Sequence, residues 1–101
     1  MIKAIFLDRD GTIIIDKHYV HKVDDVEIID EAVQAIKLFN ENGFKVIIVT
    51  NQSGIGRKFF SINDVLKVNK YIKDEFAARE AKIDAFYFCP HYLETTNSKI
   101  V

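Results

Sequence analysis

Three short apolar runs divide this chain, at residues 4–7, 45–49 and 85–89. The middle run, Lys-Val-Ile-Ile-Val, is rich in β-branched residues and does not alternate with polar ones, which predicts a strand covered on both faces. The first stretch between the runs has helical spacing from about residue 30 to residue 42, with Gly43 as a stop. The second begins at Ser61, which together with Asp64 resembles a capping box. This β-α-β-α-β order predicts an α/β fold with parallel strands and right-handed crossovers.

Polar residues follow each apolar run, beginning with Asp8-Arg9-Asp10-Gly11-Thr12. In parallel α/β sheets, ligands bind beyond the carboxyl ends of the strands. Asp8 and Asp10 are two residues apart, so in extended backbone their side chains point to the same side. Two close carboxylates repel each other unless a cation or a proton lies between them, and Mg²⁺ prefers such oxygen ligands. We therefore predict a magnesium site at this edge of the sheet.

The same edge suits a phosphate ester. Asp8 is placed for in-line attack on phosphorus, which would give an aspartyl-phosphate intermediate, while Asp10 can protonate the leaving oxygen. Thr50 and Asn51, at the end of the second apolar run, can donate hydrogen bonds to phosphoryl oxygens. The plainer alternative is a solvated Asp-Gly turn at the first strand and an ordinary strand end at the second.

Composition narrows the class of protein. The 101 residues give room for one domain, and 49% apolar with 29% charged residues is typical of a globular chain. The formal net charge is −1 and the lysines are spread out, which speaks against a nucleic-acid groove or a polybasic membrane patch. No apolar run approaches the roughly 20 residues of a membrane-spanning helix. We expect a cytoplasmic protein that binds neither nucleic acid nor membrane.

The strand that ends in Asp8-Arg9-Asp10-Gly11-Thr12 and the run that ends in Thr50 resemble motifs I and II of the haloacid dehalogenase superfamily of phosphatases. Segments 8–12, 16–19, 50–55 and 89–91 together resemble its heptose-bisphosphate phosphatases, and histidinol-phosphate phosphatases share much of this pattern. The resemblance implies a Rossmann-like parallel sheet, Asp8 as nucleophile and Mg²⁺ ligand, and Asp10 as acid/base and second ligand through its main-chain oxygen. It also implies substrate contacts for Arg9, Asp16, Lys17, His18, Tyr19, Thr50, Asn51, Gln52 and Ser53.

The chain also departs from that superfamily pattern. Members run to nearly twice this length, and their later motifs, which supply a lysine and a further acidic Mg²⁺ ligand, do not occur here. We therefore expect residues 1–101 to form only the N-terminal β-α-β-α-β half of the domain. The resemblance also implies a zinc site that uses a Cys and a His like Cys89 and His91 together with two cysteines that do not occur here. Structural zinc normally has four protein ligands, so Cys89 and His91 would be half of a site. Without further strands the first strand would be an unpaired edge, so we expect weak stability, self-association, or a longer product.

Several functions remain open from the sequence. The first is a Mg²⁺-dependent phosphomonoesterase that acts on a small phosphorylated sugar of the D-glycero-D-manno-heptose 1,7-bisphosphate type. A histidinol-phosphate phosphatase is a close variant of it, and a remnant that binds phosphate or metal without turnover is an alternative from another class. A phospho-accepting receiver domain is also a parallel α/β fold. Receivers, however, place the acceptor Asp at the end of the third strand, where this chain has Cys89.

Overall fold

The computed structural model describes residues 2–18, 20–51 and 61–89, with the backbone alone at residues 51, 88 and 89. It contains five main elements in the predicted order. They are β1 (Lys3–Asp8), α1 (Asp30–Glu41), β2 (Phe44–Asn51), α2 (Ile62–Ala78) and β3 (Ala85–Cys89). A short 3₁₀ turn at Val23–Asp25 precedes α1 and was not predicted. The β-α-β-α-β order is confirmed.

The three strands form one parallel sheet in the order β1-β2-β3. Each strand therefore lies beside the one that precedes it, and both crossovers move in the same direction across the sheet. Right-handed crossovers of this kind place both helices on the same face. The parallel α/β sheet predicted from the sequence is confirmed.

The hydrophobic core lies between that face of the sheet and the two helices. Val46 and Ile48 of β2 are fully buried there, in one cluster with Ile36 of α1 and with Ile72 and Phe76 of α2. The opposite face differs from the expectation that β2 is covered on both sides. On that face Phe6 is 64% exposed, Tyr87 61% and Val49 36%. The prediction of two-sided burial was wrong for the described structure because both helices pack on one side.

The helix ends follow local sequence signals. α1 ends at Glu41, and Gly43 adopts φ +81°, a left-handed conformation that glycine reaches without a Cβ penalty. At the start of α2, Ser61 Oγ accepts a hydrogen bond from the Asp64 amide at 3.2 Å, and Asp64 Oδ2 accepts one from the Ser61 amide at 3.0 Å. The predicted capping box is therefore confirmed. In the part of the chain that the structure describes, no helix is both long and apolar enough to cross a membrane.

Candidate active site

The site lies at the carboxyl ends of β1 and β2. Asp8 is the last residue of β1 and is exposed. The Arg9 amide then donates to the Val49 carbonyl at 3.1 Å, which continues the pairing of the strands one residue further. Because the two strands are parallel and in register, their polar ends meet at the same edge.

A tight turn after β1 fixes the position of Asp10. The Arg9 carbonyl accepts hydrogen bonds from the amides of residues 12–14 at 3.0–3.3 Å, and the Gly11 amide donates to the Ile14 carbonyl at 2.8 Å. Gly11 has φ +86°, which a residue with a Cβ rarely adopts. The turn therefore favours glycine at position 11, and it leaves Asp10 half-buried beside the strand end.

Thr50 contributes a buried hydroxyl to this edge. The residue is 1% exposed, and its Oγ1 has no hydrogen-bond partner among the described residues. Buried polar groups are almost always paired, so an unpaired one calls for an explanation. A hydroxyl at the end of β2, at the same edge of the sheet as Asp8 and Asp10, is suited to hydrogen-bond an oxygen-rich ligand such as a phosphoryl group.

The electrostatics of Asp10 reflect its place in the turn. Burial raises the pKa of the Asp10 carboxyl above its ordinary value, and the adjacent Arg9 guanidinium opposes part of this shift. The charges of Asp16 and Asp8 raise the same pKa further, though by less. A carboxyl group with a raised pKa holds its proton more readily, which suits a general acid.

The loop after the turn brings Asp16 back to the site. A Cβ added at Gly11 would lie 3.9 Å from the Cβ of Asp16, so these two residues are in contact range. Asp16 Oδ1 accepts a hydrogen bond from the His18 amide at 3.0 Å, and His18 adopts φ 67°. Lys17 Nζ lies 3.1 Å from Glu27 Oε1 in a solvent-exposed ion pair, which contributes little stability. The substrate contacts predicted for Asp16, Lys17 and His18 stay predictions.

The burial of Arg9 was not predicted from the sequence. It is fully buried, and its guanidinium donates to Asp10, to the Asn69 side chain and to the Val20 carbonyl. This placement favours a positioning role over the substrate contact predicted for Arg9. Asn69, 5% exposed on α2, was not predicted to belong to the site. The sequence feature that could have indicated it is a polar residue within the apolar stripe of that helix.

Several predicted site residues lie outside the described part of the chain. They are Tyr19, Gln52, Ser53 and His91, together with the side chains of Asn51 and Cys89. The zinc half-site at Cys89 and His91 therefore stays a prediction. Among the residues that the structure describes, no group of three or more His, Cys, Asp or Glu side chains could hold a metal ion.

The parallel sheet with two carboxylates at the end of β1 matches the haloacid dehalogenase-like α/β fold of solved phosphatase structures. Residues 3–91 match the family model described as polynucleotide kinase 3 phosphatase, so the chain belongs to that family. The superfamily resemblance drawn from the sequence is confirmed.

Curated relatives and a solved structure agree with this assignment. The chain is 43% identical over 94 residues to D-glycero-beta-D-manno-heptose-1,7-bisphosphate 7-phosphatase of Pasteurella multocida, covering 93% of this chain and 51% of the relative. It is 45% identical over 89 residues to the D-glycero-alpha-D-manno-heptose enzyme of Campylobacter jejuni, covering 88% and 52%. The crystal structure of D,D-heptose 1,7-bisphosphate phosphatase from B. bronchiseptica, complexed with magnesium and phosphate, superimposes with a TM-score of 0.84 at 29% identity, covering 92% and 52%. The chain thus spans about half the length of these relatives.

Proposed function

We propose that this chain carries the phosphoryl-transfer site of a Mg²⁺-dependent phosphomonoesterase that hydrolyses a heptose 1,7-bisphosphate through an aspartyl-phosphate intermediate. One observation carries the proposal. Asp8, Asp10 and the Thr50 hydroxyl, which has no partner within the described ranges, belong to one edge of the sheet, where carboxylates could act on a phosphoryl group and the hydroxyl could bind it. The names of the relatives support the choice of substrate.

The reaction divides into two displacements at phosphorus. A carboxylate oxygen of Asp8 attacks, the bond between phosphorus and the sugar oxygen breaks, and Asp10 gives its proton to that leaving oxygen. Water then attacks the phosphorus of the aspartyl phosphate while Asp10 takes up a proton from the water. The bond between phosphorus and the Asp8 oxygen breaks, which restores the Asp8 carboxylate and releases inorganic phosphate. The Thr50 hydroxyl donates to a phosphoryl oxygen in both steps, and the raised pKa of Asp10 suits its role as acid in the first.

The donor set of the site fits Mg²⁺. This cation needs only one or two carboxylates and keeps several waters, and Asp8 presents an exposed carboxylate at the strand end. The Asp10 main-chain oxygen is the second ligand in this proposal, since the Asp10 carboxylate is engaged by Arg9. When bound, the cation would offset the repulsion between the attacking carboxylate and the phosphoryl oxygens.

Phosphate release from the 101-residue chain with Mg²⁺ tests the proposal, with both anomers of heptose 1,7-bisphosphate and histidinol phosphate as substrates. Both anomers are needed because the relatives' names include an alpha and a beta form. We expect turnover of a heptose bisphosphate, loss of detectable turnover in Asp8→Asn, and a drop of about 100-fold or more in Asp10→Asn. Asp24→Asn, at an exposed carboxylate in the 3₁₀ turn, is the matched control and should retain activity.

Beryllium fluoride separates the remaining outcomes, because it binds to a nucleophilic carboxylate as a phosphoryl mimic. A fluorine NMR signal that depends on Mg²⁺ and disappears in Asp8→Asn, without any turnover, would indicate a site that binds without catalysis. Preferential hydrolysis of histidinol phosphate would indicate a histidinol-phosphate phosphatase instead. Absence of both signal and turnover would contradict the proposal. Two further statements stay predictions: that zinc binds at Cys89 and His91, and that the protein is cytoplasmic.

A further inference from the structure

A fully buried guanidinium lies directly behind the proposed acid/base residue. Arg9 Nε donates to Asp10 Oδ1 at 3.2 Å, and Nη2 lies 3.4 Å from Asp10 Oδ2, so the guanidinium meets both carboxylate oxygens. Nη1 donates to Asn69 Oδ1 at 2.9 Å, and Nη2 also donates to the Val20 carbonyl at 3.0 Å. We call this set of four residues the Arg9 clamp.

We propose that the Arg9 clamp positions the Asp10 carboxylate for proton transfer, an inference that rests on the proposed function. The clamp joins three separate parts of the chain: the end of β1, the loop that holds Val20, and α2 through Asn69. Asp10 thus takes its orientation from a helix far away in the sequence. Two parallel N–H···O contacts restrict a carboxylate more than a single contact does.

Burial explains why the clamp has to be complete. A guanidinium removed from water is costly unless its charge is paired and its donors are hydrogen-bonded. Asp10 is the only carboxylate that pairs with Arg9 among the described residues, and Asn69 and Val20 take further donors. If the acceptor at Asn69 is removed, the guanidinium has to shift to reach another acceptor. Because the guanidinium is hydrogen-bonded to the Asp10 carboxylate, that carboxylate would shift as well.

A small misplacement of an acid is costly to catalysis. A shift of about 1 Å in a reacting group can lower a rate by about 100-fold. In the first displacement, the cost falls on substrates whose leaving oxygen needs a proton, such as a sugar alkoxide. The nitrophenolate leaving group of an aryl phosphate departs without receiving a proton. A merely structural role for the Arg9 clamp would lower turnover of both substrates alike, because it would act through the folded fraction.

The test compares heptose bisphosphate and p-nitrophenyl phosphate as substrates for Asn69→Leu and Arg9→Lys. Asn69→Leu removes the acceptor at similar volume, and Arg9→Lys keeps the charge but loses the planar fork. Because Asp10 also acts in the second displacement, which both substrates share, the first displacement is measured alone in a single turnover. We expect the rate of sugar release from heptose bisphosphate to fall by about tenfold or more, with KM and the single-turnover rate of nitrophenolate release within about twofold of the parent. Val68→Ala, a buried neighbour on α2 outside the clamp, controls for loss of stability and should not separate the two substrates.

Equal losses in the single-turnover release of both leaving groups would overturn the positioning role while leaving the proposed function standing. If the parent chain hydrolyses neither substrate, the proposed function fails and the carbon-13 signal of the Asp10 carboxyl carries the test of the clamp. That signal should shift or broaden in Asn69→Leu and stay unchanged in Val68→Ala. An unchanged signal in Asn69→Leu would show that α2 does not hold Asp10, and the inference would be wrong.

Discussion

Thr50 illustrates at the residue scale how a binding site costs stability. A buried polar atom without a partner destabilises a folded protein by about 1–3 kcal/mol, because it has given up its bond to water. Among the residues that the structure describes, Thr50 Oγ1 has no partner, and the residue is 1% exposed at the end of β2. A phosphoryl oxygen that accepted a hydrogen bond from this hydroxyl would remove the penalty, so part of the ligand's affinity would come from relieving it.

We therefore predict opposite effects of Thr50→Val on stability and on phosphate binding. Valine keeps the shape of threonine but has no hydroxyl, so the free energy of unfolding without ligand should rise by about 1 kcal/mol. The stabilisation that phosphate and Mg²⁺ give in urea unfolding should weaken or vanish. Thr50→Ser, which keeps the hydroxyl, is the control and should retain the phosphate effect. A less stable Val variant with normal phosphate binding would contradict this reading.

The sequence allowed Asp8, Asp10 and Thr50 to be placed together because strand ends in a parallel sheet meet at one edge. It did not reveal that Arg9 is buried. An arginine between two aspartates in a polar segment is typical of a solvent-facing residue or a ligand contact. The alternation of side chains along a strand could have predicted this burial. Arg9 follows Ile5 and Leu7 on the side of the sheet that faces the helices. Only the packed helix supplies Asn69 as the partner that makes its burial tolerable.

At the scale of the elements, the sequence placed the helices well because each end has a local cause. Ser61 and Asp64 begin α2 by satisfying amides that have no partner within the helix, and Gly43 follows the end of α1. Such signals depend on neighbouring residues and need no tertiary information. Whether each face of β2 is covered depends on tertiary structure. The apolar composition of that strand therefore led to a wrong prediction that both faces are buried.

The capping box gives a pH dependence of stability that can be measured. The hydrogen bond from the Ser61 amide holds the pKa of the Asp64 carboxyl below its ordinary value. Because the folded-state pKa is lowered, this contribution to stability is present above the unfolded-state pKa and is lost as the pH falls through the folded-state pKa. We expect the parent chain to lose this part of its stability below about pH 4.

Urea unfolding of the parent and of Asp64→Asn between pH 3 and pH 6 measures the effect. The asparagine variant does not titrate at this position, so its stability should change less over the acidic part of that range. Asn63→Ala, an exposed neutral substitution in the same helical turn, should keep the slope of the parent. Identical slopes for Asp64→Asn and the parent would mean that the capping box does not contribute in this way.

At the scale of the whole molecule, the strand order leaves one face of the sheet without helices. Phe6, Val49 and Tyr87 are exposed there side by side, since Val49 pairs in register with Tyr87 and Phe6 lies on the adjacent strand. Among the described residues β1 pairs only with β2, so its outer edge also presents free backbone groups. An open apolar face next to an open strand edge favours association with further polypeptide, whether from a second copy or from a longer product.

We predict that the 101-residue chain self-associates through this face. In sedimentation velocity the weight-average mass should rise with concentration, and Phe6→Lys combined with Tyr87→Lys should weaken association by about tenfold or more, or about 1.4 kcal/mol. Leu38→Lys combined with Leu66→Lys is the matched control. These leucines are 59% and 51% exposed, but they lie on the helices, away from the open face of the sheet. The control pair should associate like the parent, because lysine there adds charge without touching the apolar face. A parent chain that stays monomeric at every concentration, or equal weakening by both pairs, would mean that the open face does not drive association.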